Sequence, residues 1–331
     1  MAIGVLICAE EIDGRVTTTT RELLNEGKKL ADKMNQPLGA LLIGKNIQEA
    51  AMEIISLGAD VSYTVEAPSF IEASPADYIA IIAKACQEIG PSVILFGQTD
   101  IGRDAAPSLA AQLGTTVSMD CVNVDIDPDT KALLQTRPVY GGNAMAVWAS
   151  QGREPQIVAM RPRSMPAAEP NAARQGEIIA IDPPAGQSAA GVELIETKKE
   201  EITGVKLEEA KIVVSGGGGI GGPEGFKMLE ELAHAVGGAV ASTRVPCDEG
   251  WVSSAIEVGQ TGTIVTPDLY IAVGISGAVQ HMVGCSNAKR IVAINRDPDA
   301  HIFQEADLGI VGDYREALPA LTETIRKIRG S

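Results

Sequence analysis

Short apolar runs alternate with amphipathic stretches through the first third of the chain. Residues 3–9 (IGVLICA), 38–43 (LGALLI), 61–65 (VSYTV) and 92–96 (SVILF) are bounded by Gly, Pro or charge and read as strands. Between them the apolar period lengthens. Leu23, Gly27, Leu30 and Met34 keep i, i+4, i+7, i+11 spacing after a threonine run, Thr17 to Thr20, that can cap a helix. Ile79, Ile82, Cys86 and Ile89 form a similar stripe after Ser74-Pro75, a helix start signal. Strands alternating with helices predict a parallel sheet covered on both faces.

From about residue 115 to about residue 180 the pattern is strand-like, with turn residues and no helical stripe. TVSMDCVNVDID, ALLQTRPVYGG, AMAVWAS and PQIVAMRP read as antiparallel strands added to the edge of the first sheet. Structure signals are poor over residues 182–210, where DPPAGQSAAG and ETKKEEITG suit a linker. A second alternating unit follows. KIVVSG, GAVASTR, DLYIAVGIS, KRIVAINRD and ADLGIVGD read as strands and FKMLEELAHAVG as a helix. Leu318, Leu321, Ile325 and Ile328 mark a closing helix with basic residues in its last turns, which suits the helix dipole. The fold class expected is α/β with two domains, each a parallel, Rossmann-like layer, the first with added antiparallel strands and the second doubly wound. Their expected limits are 1–190 and 208–331, with a linker at 191–207.

Charge narrows the possible partners. The 331-residue chain carries 27 Lys and Arg against 43 Asp and Glu, a net charge of −16, which disfavours nucleic acid and anionic lipid. No apolar run approaches the roughly 20 residues of a membrane span. MAIGVLICAEEIDG lacks a basic start and reads as a first strand, not a signal peptide. Cys8, Cys86, Cys121, Cys247 and Cys285 are scattered without C-x-x-C, so buried thiols in a reducing compartment are expected, and with them a cytoplasmic location. His234, His281 and His301 are the whole histidine complement, too few for a polyhistidine metal site.

The candidate chemistry lies in the second unit. Gly217, Gly219 and Gly222 satisfy G-x-G-x-x-G between a strand and a helix, where glycines let backbone approach a pyrophosphate. The next strand ends in Thr243 and Arg244, not in the acid that would hold a ribose hydroxyl. An NAD(P)-dependent oxidoreductase, a non-redox nucleotide-binding module and a plain tight turn all remain open on this loop. After the strand DLYIAVG, Gly274, Ser276 and Gly277 sit where ligands bind parallel sheets, and His281 follows about one helical turn on. EVGQTG adds Gln260 and Thr261 between glycines.

At VGQTG, LYIAVGISGAVQH and IVAINRDPDAHIFQEADLGIVGD the sequence resembles the electron transfer flavoprotein alpha subunit family. The match is close over residues 242–325 and looser through IGRDAAPSLAAQLG and RPVYGGNA, so it spans essentially the whole chain. The resemblance implies a heterodimer with a beta subunit, with FAD held mainly on the C-terminal domain and the N-terminal domain contacting the partner. It implies an electron carrier without substrate chemistry of its own, fed by acyl-CoA-type dehydrogenases and drained by a quinone oxidoreductase or similar acceptor. Some relatives instead bifurcate electrons from NADH with a second flavin in beta.

The resemblance also assigns residues. Arg244 matches an arginine stacked on the flavin, where a fixed cation favours the negative charge gained on reduction. Thr261 matches a hydroxyl near flavin N5, with Val258, Gly259 and Gln260 on the same loop. His281 matches a donor to the C2 carbonyl. Gly274, Ser276, Gly277, Ala278, Val279 and Gln280 follow the pyrophosphate and ribityl chain, and Asn295, Asp313 and Tyr314 the adenosine side. Gly217, Gly218 and Thr243 complete the set. Gly218 stands where the family commonly has arginine, Thr243 replaces a commoner serine, and VPCDEG departs from an alanine-rich segment. Each polar residue also has a plainer reading as a strand-end cap, a turn or a solvated side chain.

Overall fold

The computed structural model describes residues 3–12, 14–66, 75–142, 144–149, 154–184, 207 and 210–329, in two compact units that divide between Lys198 and Lys199. The first unit begins with β1 (Val5–Ala9), the short hairpin β2 (Glu11–Ile12) and β3 (Arg15–Val16), then α1 (Thr18–Met34) and β4 (Leu38–Gly44). It continues through α2 (Gln48–Ser56), β5 (Val61–Glu66), α3 (Pro75–Ile89), β6 (Val93–Gly97) and α4 (Asp100–Leu113). Then come β7 (Val117–Cys121), β8 (Asn123–Ile126), β9 (Leu133–Val139), β10 (Ala144–Ala149), β11 (Gln156–Met160) and β12 (Glu177–Ala180).

Local chemistry sets the helix ends. The Thr17 hydroxyl accepts from the Thr20 amide at 3.2 Å to open α1, and Thr99 accepts from Gly102 at 3.1 Å to open α4. Asn35 and Gly114 close the two helices in left-handed conformation. Among the described residues the main sheet has seven strands in the order β12-β5-β4-β1-β6-β11-β7, all parallel. Its faces bury separate cores. Val5, Ile7 and Ala9 point toward Leu23 and Ile54 of α1 and α2, while Leu6 and Cys8 point toward Ile82 and Leu109 of α3 and α4.

The expected antiparallel edge is placed differently. β7, β11 and β12 join the main sheet in parallel, and the antiparallel strands β8, β9 and β10 make a small sheet of their own. The break between the two lies at Asp120, held at φ 60° beside a register shift in β11. Arg161 grips the Asp120 carboxylate at 2.8 and 2.7 Å and fixes that corner.

The second unit runs β13 (Ile212–Gly216), α5 (Glu224–Val236), β14 (Ala239–Ser242), α6 (Arg244–Asp248), β15 (Leu269–Val273) and α7 (Val279–Cys285). β16 (Ile291–Asn295), α8 (Ile302–Glu305), β17 (Leu308–Val311) and α9 (Tyr314–Arg329) complete it. Its five strands are parallel, in the order β14-β13-β15-β16-β17, with a core on each face. Of the linker expected at 191–207, all but Leu207 lies outside the described residues, and Leu207 is buried in the core of the second unit. No helix among the described residues is long and apolar enough to cross a membrane.

Candidate cofactor site

In chain order the five strands of the second sheet stand 2-1-3-4-5, so strand order reverses between β13 and β15. Ligands bind open α/β sheets outside the carboxyl ends of the strands at such a switch point. Here two glycine loops meet there, backbone against backbone. The Gly217 amide donates to the Val273 carbonyl at 2.9 Å and the Gly219 amide to the Gly274 carbonyl at 2.9 Å. A Cβ on Gly217 would lie 2.8 Å from the Ile275 Cα, and one on Gly219 2.9 Å from the Gly274 Cα. Not every amide of the first glycine loop is therefore open to a pyrophosphate. Two of the three are spent on joining the loops, and Gly218 alone keeps an uncommitted amide.

That junction pushes the next loop outward. Gly274 and Gly277 turn it at φ 60° and 87°, and the Ile302 amide pins the Ser276 carbonyl at 3.0 Å. Ser276, Ala278, Val279 and Gln280 are exposed. The amides of Ser276 through Gln280 have no acceptor among the described residues. Successive uncommitted amides on one exposed loop form a ready site for anionic oxygens.

The Val258–Gly262 loop lies alongside. The Val258 amide donates to Ser242 at the end of β14, and the Gln260 amide to the Gln280 carbonyl, each at 2.8 Å. Gln260 and Thr261 are thereby brought beside α7, both exposed, with the Thr261 hydroxyl on the Glu257 carboxylate at 2.6 Å. Arg244 is not a strand end, as expected, but the first residue of α6, which Thr243 precedes and whose Val245 packs near Gly218. Its side chain is 67% exposed and meets Asp248 at 3.1 Å. The short helix escapes a periodicity reading because it has five residues with Pro246 among them. Cys247 is partly buried, and burial raises its thiol pKa, as a packing residue requires.

His281 is placed differently from expectation. Its ring is buried, with Nδ1 2.9 Å from the Val258 carbonyl and Nε2 3.1 Å from the Tyr270 hydroxyl. Burial lowers its pKa, which favours the neutral ring. A carbonyl only accepts, so the proton sits on Nδ1 and Nε2 accepts from Tyr270. Both ring nitrogens thus have partners within the protein.

Across the switch point an open cleft is lined by Gly219, Gly274, Ile294, Asn295, Arg296, Gly312, Asp313, Tyr314 and Arg315. Asn295 is fixed as a strand-end cap, donating to the Ile275 carbonyl at 2.9 Å and accepting from the Asp297 amide at 3.0 Å. Asp313 binds Arg315 at 3.0 and 2.9 Å, which lowers the carboxyl pKa. The Tyr314 hydroxyl donates to Ile220 at 2.9 Å. Sequence reasoning missed Arg296 and Arg315, although each directly follows a residue singled out there. From α6 to Asp313 the candidate residues span four strand intervals, about 19 Å at ~4.8 Å each, the scale of an extended dinucleotide.

Comparison with known proteins identifies the family. The family model for the electron transfer flavoprotein domain matches residues 5–185, and that for the electron transfer flavoprotein FAD-binding domain matches residues 206–286. The chain is 44% identical over 325 residues to the electron transfer flavoprotein subunit alpha of Thermoanaerobacterium thermosaccharolyticum, covering 98% of both. This chain belongs to the electron transfer flavoprotein alpha subunit family.

A Bacillus subtilis protein of the same name is 39% identical over 329 residues, covering 99% of each chain. The lactate dehydrogenase (NAD(+),ferredoxin) subunit LctC of Acetobacterium woodii is 34% identical over 322 residues, 97% of this chain and 77% of that protein. As a family member the chain is an electron transfer flavoprotein component with an FAD-binding C-terminal unit. The matched FAD-binding segment contains both glycine loops, Arg244, the Val258–Gly262 loop and His281.

Proposed function

We propose that this chain is the alpha subunit of a heterodimeric electron carrier that takes electrons from an acyl-CoA-type dehydrogenase and delivers them to an acceptor such as a quinone oxidoreductase. The observation that carries this reading is the cradle along the second sheet, with its row of uncommitted amides at Ser276–Gln280 between Arg244 on one side and Asn295 and Asp313 on the other.

The residues present fit FAD. Amides of the Ser276 loop suit a pyrophosphate, and the crowded glycine loops admit a ligand close to backbone. Arg244 keeps a planar cation at the exposed end, its ion pair with Asp248 weakened by solvent. When bound, the flavin supplies one- and two-electron transfer, while the protein sets orientation and electrostatics. Thr261 places a hydroxyl beside this end, where its proton is shared with Glu257. β14 ends in Ser242 and leads into Thr243 and Arg244, so the acid expected of an NAD site is missing at that strand end.

A beta subunit is the expected partner. Met145 and Val147, each 61% exposed, stand on one face of β10, and Tyr140 is 85% exposed beside them. Such an apolar strip on a protein of net charge −16 suits burial against another chain.

The test is a flavin count and a reduction assay on the co-purified heterodimer. The expected result is one FAD per heterodimer, reduced by an acyl-CoA dehydrogenase with its substrate and not by NADH. A flavin-free complex that ignores added FAD overturns the reading. Two flavins per heterodimer with reduction by NADH would place the chain in an NADH-fed assembly instead.

A further inference from the structure

Resting on the FAD site proposed above, we propose that Arg315, on the first turn of α9, binds the cofactor. Its guanidinium faces the phosphates of FAD from the adenosine side of the cleft, opposite a glycine loop that carries no cation of its own.

FAD brings two phosphate charges to the carboxyl end of the second sheet. The amides of Ser276–Gln280 can meet them with dipoles only. Residues 217–222 are glycines and Ile220, and the next basic residue along the chain, Lys227, is held by Glu224 at 2.6 Å. The other side of the cleft differs. Arg296 and Arg315 stand there with Asp313, two cations to one acid on a chain of net charge −16. Hydrogen bonds from Arg315, and beyond them the charge of Arg296, lower the Asp313 carboxyl pKa. The rim therefore keeps an excess of positive charge where the ligand is anionic.

Of the two arginines, Arg315 has the fixed place. Its Nε and Nη2 meet the two Asp313 oxygens at 3.0 and 2.9 Å, and its amide donates to the same carboxylate at 2.9 Å. Tyr314, one residue earlier, donates to the Ile220 carbonyl at 2.9 Å and ties this turn to the first glycine loop. A Cβ on Gly225 would lie 2.6 Å from that hydroxyl, so the contact is close-packed. Gly219, after β13, and Arg315, after β17, thus line one cleft from its two sides. The Arg315 side chain is exposed, and its Nη1 has no partner among the described residues. A guanidinium presents five N–H donors in a rigid fork. Asp313 orients the head from one edge and leaves the other edge for a phosphate oxygen.

The test removes this charge and returns one from the other side. For the purified heterodimer, Arg315→Gln is expected to weaken FAD binding about tenfold at low salt, with Arg315→Lys within about threefold of the parent. At about 1 M salt the loss in Arg315→Gln is expected to shrink to about threefold. The melt of the flavin-free heterodimer should not move, because an exposed ion pair carries little stability. Gly218→Arg places a cation across the cleft. Since both arginines would serve the same phosphates, its gain in FAD affinity is expected to be at least about threefold larger in Arg315→Gln than in the parent.

Equal FAD affinity in the parent and Arg315→Gln overturns the proposal. So does a lysine no better than glutamine, a loss that salt leaves unchanged, or an equal gain from Gly218→Arg in both backgrounds. In each of these the parent binds FAD and the cofactor reading stands. A parent that binds no FAD overturns that reading, and this proposal with it.

Discussion

The Gly219 amide donates to the Gly274 carbonyl at 2.9 Å, fastening the loop after β13 to the loop after β15 at the switch point of the second sheet. This bond and its neighbour from Gly217 to Val273 explain why glycine stands on both sides. The loops touch through main chain, and the ligand-facing amides are displaced onto the segment from Ser276 onward.

Gly217→Ala is expected to be costly. Its Cβ would press on the Gly274 carbonyl and the Ile275 Cα, backbone atoms that cannot rotate away. A loss of roughly 1–3 kcal/mol of stability is expected, with FAD affinity falling in parallel because the Ser276 loop shifts. Thermal melts and FAD titration check it; an unperturbed melt would mean the loops separate freely.

Gly218→Arg should behave in the opposite way. Gly218 is exposed, and its nearest neighbour for a Cβ is a Val245 methyl at 3.3 Å, the end of a side chain that can move. The substitution supplies the cation that the family resemblance implies at this position. A charge-assisted hydrogen bond to phosphate is worth roughly 1.5–3 kcal/mol, so FAD affinity is expected to rise at least about tenfold, less so at high salt. Titrations at two ionic strengths measure both effects.

Glu10 gives the first unit a pH dependence. Burial pushes its carboxyl from 4.5 up to about 7, against the pull of the Thr99 hydroxyl, which donates to it at 2.6 Å. Glu22, which is buried, is pushed to about 7 despite the Arg163 amide at 2.7 Å. Folding therefore favours the protonated acids. Their contribution is most favourable below pH 4.5, declines as pH rises toward about 7 and then levels off. Glu10→Gln, which can still accept from Thr99, is expected to stabilise the chain at pH 8 by roughly 1–3 kcal/mol and to change little at pH 4.5. Denaturation at the two pH values tests the sign.

Much of this architecture was legible in the residues. The stripe from Leu23 to Met34 and the cap at Thr17 mark α1 correctly, and the strands of both parallel sheets, except the edge strand β12, stand where apolar runs predicted them. Alternation reports which face a side chain takes, however, not which strand it pairs with. That is why β7 and β11 read as antiparallel until the turn at Asp120 is seen. At the cofactor site, glycine content marked the loops, yet the direction of each amide depends on the partner loop. The orientation of His281 depends on Tyr270 and Val258, brought together only by the fold.

Arg244 separates function from stability. It is exposed, and its bond to Asp248 spans one turn of a short helix, a contact of small energetic weight. Arg244→Ala is expected to change folding stability by less than about 0.5 kcal/mol. Removal of a cation beside the redox group should lower the potential for the first electron, because negative charge there loses its counterpart. A redox titration identical to the parent's would remove Arg244 from the site.

The last expectation concerns the partner face. Met145 pairs with Pro138 and Val147 with Thr136 across β9 and β10, so the two exposed side chains share the outer face of the small sheet. Val147→Glu leaves the core untouched and should shift the melt of the isolated chain little. At an interface it would bury an unpaired carboxylate, and the heterodimer dissociation constant should rise at least about tenfold. Sedimentation of the mixed subunits measures it. Unchanged affinity would move the beta subunit off this sheet, since a buried carboxylate opposite an apolar surface cannot go unnoticed energetically.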